Sequence, residues 1–164
     1  MSGDRRTTGQ ASAEQGYSLP ELLVVIALIG LFVLFAGPAT KDAYRSYKVR
    51  SVADNLATDL RALRYNAVAN RAPRSITINN QSSAPPNQYS YTNYKGRPIT
   101  VLIEPWVSIE TTSAASITFN TNGSTGGVGN QTVSVSAMIN ESRNDRYTIT
   151  VTPSGTISTA YSTF

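Results

Sequence analysis

Residues 16–39 read GYSLPELLVVIALIGLFVLFAGPA, and the reading of this stretch decides the fold. Fifteen consecutive residues, Leu22 to Ala36, are apolar or glycine, and a carboxylate, Glu21, stands at their edge. As a helix the run rises about 22 Å. That is short of a roughly 30 Å hydrocarbon core unless Tyr17, Leu19 and the Gly37-Pro38-Ala39 stretch extend it. A charge at the lip of such a run is costly and calls for a partner or a function. Locally, Ser18-Leu19-Pro20-Glu21 fits a capping box, with Ser18 as N-cap, Pro20 in the first turn and Glu21 at N3. That pattern accounts for Glu21 alone and leaves Gly16-Tyr17 unexplained.

On the N-terminal side, residues 1–16 are polar and small, with Arg5 and Arg6 offset by Asp4 and Glu14. They read as a processed or disordered leader. A secretory signal peptide is the plain alternative for the apolar run, because AGPA offers small residues for a cut. Against it, no basic residue adjoins the run on its N-terminal side and an acidic one does.

On the other side the period changes. Val49, Val52, Ala53, Leu56, Leu60, Leu63 and Ala67 recur at steps of three and four, with charged residues largely between them. That predicts an amphipathic helix with no Gly or Pro until Pro73. Joined to the apolar run it gives one helix over about Ser18 to Arg71. Pro38 lacks an N–H and is expected to loosen or kink it near Leu34.

From Ser75 the chain reads as strands: 75–80, 89–94, 99–104, 106–111, 116–120, 132–139, 146–152 and 155–160, rich in β-branched and aromatic residues. Turn-forming stretches such as SSAPPNQ, KGRP, NTNGSTGGVGN, NESRND and PSG separate them. Short strands with short connections favour an antiparallel sheet or small sandwich. The expected fold is α+β, a long N-terminal helix packed on an antiparallel β head. Its expected segments are a leader (1–16), an apolar helix (17–39), an amphipathic helix (40–72) and the head (73–164).

Composition narrows the chemistry. The 164 residues contain no Cys and no His, which removes thiolate nucleophiles, disulfides, the usual zinc sites and the commonest general base. No His-dependent triad is possible, and catalysis is not expected. The net charge of +4 is unevenly placed: residues 41–74 carry eight basic and three acidic side chains, and residues 75–164 carry four of each. The positive field belongs to the stem.

The motif at Gly16 carries a resemblance. A Gly followed by an aromatic residue, a Glu at the fifth position and an apolar helix resembles the processing signal of the type IV pilin superfamily. The resemblance implies cleavage by a prepilin peptidase between Gly16 and Tyr17 and N-methylation of Tyr17. Glu21 would pair with the new α-amino group of a neighbouring subunit. Pro38 falls where family members commonly place a helix-loosening proline, while Tyr17 replaces the usual Phe. The implied location is the bacterial inner membrane, single-pass, with the β head in the periplasm. Implied partners are other pilins or pseudopilins, the peptidase, an inner-membrane assembly platform and membrane lipid. The flanking charges point the other way, since Lys41, Arg45, Lys48 and Arg50 outnumber Arg5 and Arg6. The processing motif is the more specific of the two signals.

Within the superfamily the chain resembles the H-type minor pseudopilins of type II secretion and the related T-type minor pilins. Ile117, Phe119 and Gly123 match one family element, and Ile149, Val151 and Gly155 the closing hairpin. The implied function is a minor subunit that initiates or caps a secretion pseudopilus. The alternative is a minor pilin assisting pilus assembly or DNA uptake.

Other candidates are weaker. Tyr89, Tyr91, Lys95 and Arg97 interleave aromatic and basic groups and form a candidate nucleic-acid contact. An edge strand with its turn explains the same residues, and Gly155-Thr156-Ile157-Ser158 lacks the basic motif of DNA-binding relatives. The glycine-rich NGSTGGVGN has no following Lys or helix and reads as a loop. Glu141 and Asp145 suggest a calcium site, but Arg143 and Arg146 oppose a cation there. Glu104 and Glu110 read as solvated strand carboxylates. No metal or cofactor is expected.

Overall fold

The computed structural model describes residues 17–164, and of residues 34–39 only the backbone. The leader, with the Gly16 side of the expected cut, lies outside the described residues. The chain divides into two compact units, 1–38 and 39–164. One helix, α1 (Leu19–Ala69), contributes to both, and Pro38, the last residue of the first unit, lies inside it.

In the first unit, Ser18 stands just before α1, and its carbonyl oxygen accepts the Leu22 N–H at 3.1 Å. Among the described residues no helix is long and apolar enough to cross a membrane. The described side chains of the apolar run, Leu22 to Val33, rise about 18 Å as a helix, well under a hydrocarbon core. They do not by themselves carry the crossing expected for residues 17–39.

The second unit is the head. Its strands are β1 (Arg74–Asn79), β2 (Gln88–Thr92), β3 (Pro98–Leu102), β4 (Ser108–Ile109), β5 (Ser116–Phe119), β6 (Gln131–Asn140), β7 (Arg143–Val151) and β8 (Ile157–Thr163). They form two four-stranded antiparallel sheets, in the orders β3-β2-β1-β5 and β4-β6-β7-β8. Hydrogen bonds tie the β1–β2 loop of the first sheet to β4 of the second. Gln81 N–H donates to the Ile109 carbonyl at 2.9 Å, and Ile109 N–H to Asn87 Oδ1 at 3.0 Å.

The core follows from two periodicities meeting. Val49, Ala53, Leu56, Leu60, Leu63 and Ala67 are buried on one helix face, as the three-four spacing requires. Alternate strand positions supply the other side: Ile76 and Ile78, Ile117 and Phe119, Val133 and Val135, Ile149 and Val151. Every buried apolar side chain among the described residues lies between Val49 and Val151, so the head's core is complete without the apolar run. The helix ends with Arg71 in the left-handed region at φ 48°, while Ala72 N–H reaches back to the Ala67 carbonyl at 3.2 Å. This is a Schellman-type stop at a position where Gly is the usual occupant.

Candidate assembly surfaces

The first surface is the N-terminal helix itself. Leu22, Leu23, Val24, Ile26, Ile29, Phe32 and Val33 are all more than half exposed, and Tyr17 is 82% exposed. A contiguous apolar face of this size is not tolerated in water and marks a site for lipid or for other chains. Glu21 sits in the first helical turn, where a carboxylate complements the helix dipole. Among the described residues it has no ion-pair partner, so any compensating cation must come from outside them.

The base of the stem is fastened to the head by polar contacts. Asp145 is fully buried and accepts hydrogen bonds from Ser46 Oγ at 2.7 Å, Arg143 Nε at 2.7 Å and Tyr161 Oη at 3.1 Å. Burial pushes the Asp145 carboxyl up, but the hydrogen bonds from Arg143, Ser46 and Tyr161 outweigh it and hold the group below the usual carboxylate range. Two further bonds close the joint: Arg45 donates to the Ile139 carbonyl at 3.0 Å, and Asn140 Nδ2 to Asp42 at 2.8 Å. Asp145 is thus a structural anion with a resident guanidinium. Of the two residues weighed for calcium, Asp145 is already taken up by Arg143, Ser46 and Tyr161, and among the described residues no group of three or more acidic side chains could hold a metal.

The far end of the stem is clasped by two glycine turns. Arg64 Nε donates to the Gly123 carbonyl at 3.1 Å and Nη2 to the Ser154 carbonyl at 3.4 Å. Gly123 and Gly155 have φ of +80° and +82°, values that favour glycine. A Cβ on Gly155 would collide with the Gly123 carbonyl oxygen and with Arg64. The two glycines singled out by sequence are therefore one contact, where two turns and an arginine converge.

The nucleic-acid candidates do not form a surface. Tyr89 is buried at 2% exposure and Tyr91 is half-buried, and both phenols donate to Asp59, at 2.8 and 3.0 Å. Burial, reinforced by the Asp59 carboxylate, raises both hydroxyls, with Tyr91 pushed up to about 12. Neither ring is free to stack on a base. Lys95 and Arg97 are exposed in the β2–β3 turn, apart from that pair. Glu104 accepts from Lys48 at 2.9 Å and Trp106 Nε1 at 2.7 Å, while Glu110 accepts from Arg146 Nε at 2.6 Å. Each carboxylate has its own cation, and the two do not pair with each other.

Sequence reasoning missed Asp59, Arg64 and Asp145 as organising groups. A signal existed for Asp59: it lies three residues after Leu56 and four before Leu63, beside the buried face of the helix.

A family model described as "Type II transport protein GspH" matches residues 52–155. The fold is similar to that of the crystal structure of the type IV minor pilin FimU from Pseudomonas aeruginosa. The TM-score is 0.53 at 16% identity, covering 70% of this chain and 89% of that one. No curated protein matches the chain in sequence.

Proposed function

We propose a filament role from the premise that the chain belongs to the GspH family of type II transport proteins. In that role it is a minor pseudopilin, a subunit of the type II secretion filament that helps to initiate or cap assembly. The observation that carries the reading is the division of labour within one helix. Residues 22–33 expose an apolar face that buries nothing of the head, whereas residues 49–67 supply a third of the head's core. A helix of that kind suits a subunit stored in a membrane and later packed among other helices. The head has no need of it for folding.

Under this reading the leader is cut between Gly16 and Tyr17 by a prepilin peptidase, and Tyr17 is N-methylated. Residues 17–39 then anchor the chain in the inner membrane with the head in the periplasm. Glu21 compensates the terminal amine of a neighbouring subunit, which explains a carboxylate at the lip of an apolar run. No catalytic role, metal or cofactor is assigned.

A second reading, a minor pilin of a type IV pilus, draws support from the fold shared with FimU. Deletion of the gene separates the two. Loss of protein secretion with surface pili intact fits the pseudopilus. Loss of surface pili or of DNA uptake with secretion intact fits the pilus, and loss of neither contradicts both.

A further inference from the structure

We propose that β8 is a docking edge at which an extended segment of a neighbouring filament subunit adds as a fifth strand to the second sheet, with its side chains entering the groove beside α1. The inference rests on the filament reading above and names the contact by which the head joins its neighbour.

The four sheet edges are unequal. β4 has two residues, β5 four, and β3 five with Pro98 at its start; short length and proline are two of the ways in which natural edges are kept from pairing. β8 has seven residues, ISTAYST, with no charge, no Pro and no register shift against β7. Among the described residues nothing pairs with its other side.

The ladder fixes which groups are free. Asn144 and Phe164 exchange both backbone hydrogen bonds, and Thr152 N–H donates to the Thr156 carbonyl. By the alternation of an antiparallel pair, Ser158, Ala160 and Ser162 also turn their N–H and C=O towards β7. Ile157, Thr159, Tyr161 and Thr163 therefore turn theirs outward. Donors and acceptors repeating every second residue along a strand match one chemistry, another extended polypeptide.

The side-chain environment adds selectivity. A groove of about 510 Å³ lies against β8, lined by Arg50 and Asp54 of α1, Tyr147 of β7, and Thr159 and Tyr161 of β8. Its walls are preset. Tyr161 is held through its hydroxyl by Asp145 and Arg143, and its ring lies 4.9 Å from that of Tyr147. Arg50 and Asp54 are 3.5 Å apart and exposed, free to regroup around a polar or aromatic side chain. A free sheet edge flanked by a helix, with a groove between, lets backbone bonds supply affinity and alternate side chains supply specificity.

A second copy does not suit this edge. Antiparallel β8–β8 pairing needs a two-fold axis normal to the sheet, which turns the two α1 helices in opposite directions. Anchors in one membrane forbid that. The occupant is instead a differently placed strand of another subunit, without charges to set against a neutral edge.

Hydrogen exchange on the full-length chain, alone in detergent micelles and within purified filaments, tests this. The amides of Ile157, Thr159, Tyr161 and Thr163 should slow at least tenfold on assembly. Those of Ser158, Ala160 and Ser162, already bonded to β7, should change little. Thr159→Pro removes one outward donor without touching the β7 ladder, so it should fold with the wild-type exchange pattern in micelles and enter filaments at least tenfold less. Unchanged exchange at the four outward amides in incorporated wild-type chains would overturn the docking edge alone. Absence of the wild-type chain from the filaments would overturn the filament reading and this inference with it.

Discussion

Arg64 donates to the Gly123 carbonyl oxygen at 3.1 Å, and the Gly155 turn closes over the same oxygen without room for a Cβ. Helix, β5–β6 turn and β7–β8 turn thus meet at one atom. The joint explains why glycine is needed twice in the distant motifs read from the sequence.

Gly155→Ala should be among the most damaging single-methyl changes in the head. It adds a steric overlap to a φ of +82°, together costing roughly 3 kcal/mol. Thermal unfolding of the head should show a Tm lower by about 10 °C. Arg71→Gly should do the reverse, relieving a left-handed Arg at the end of α1 and gaining up to about 1 kcal/mol.

A fragment covering residues 39–164 should be a soluble monomer with one cooperative thermal transition, since the core is complete within it. Beginning instead at Tyr47 deletes Asp42, Arg45 and Ser46, which fasten the stem to the β6–β7 hairpin. That shorter fragment should remain folded but unfold at a lower temperature. A molten product from the longer one would mean the head is not preformed.

Asp59→Ala leaves the buried Tyr89 hydroxyl unpartnered and should cost about 1–3 kcal/mol. The wild-type tyrosine pair resists ionisation, so its stabilisation is complete below the ordinary tyrosine range near pH 10. It should fall as pH rises towards 12, the value at which Tyr91 ionises in the fold. Absorbance of tyrosinate against pH checks both statements, the variant showing an earlier titration.

Asp145 has the opposite sign. Its folded carboxyl is held below the ordinary range, so its contribution is complete above about pH 4 and is lost as pH falls through the folded value. Asp145→Asn should therefore be less stable than wild type at neutral pH, and the two stability curves should converge in acid. Parallel denaturation curves from pH 7 to 2 would contradict this role.

Much of the fold is legible in the sequence because two periods are clean. The three-four spacing from Val49 to Ala67 and the alternation in runs such as Ile76-Thr77-Ile78 locate the helix and all eight strands. Boundaries slip where turns compete. Pro105 and Trp106 cut the fourth run to Ser108–Ile109, and the NESRND turn tightens to Glu141-Ser142, with Arg143 to Asp145 already in β7. The partition into two sheets is not legible, since it depends on long-range pairings such as β1 with β5. Nor is the fate of Tyr89 and Tyr91. An aromatic-basic stretch looks the same in sequence whether its rings face solvent or a half-buried Asp59 thirty residues away.

Glu21→Ala and Glu21→Gln separate capping from docking. Both should insert and be processed normally, because removing the carboxylate lowers the cost of burying the helix end. Both should enter filaments poorly if the charge pairs with a neighbour's amine. Wild-type assembly by Gln with failure by Ala would assign Glu21 to the capping box instead.

The central claim, that this chain is a processed filament subunit, is tested most directly by intact mass spectrometry of the chain recovered from purified filaments. The expected species begins at Tyr17 and carries one N-terminal methyl group. A chain retaining residues 1–16, or one beginning near Ala39, would contradict it.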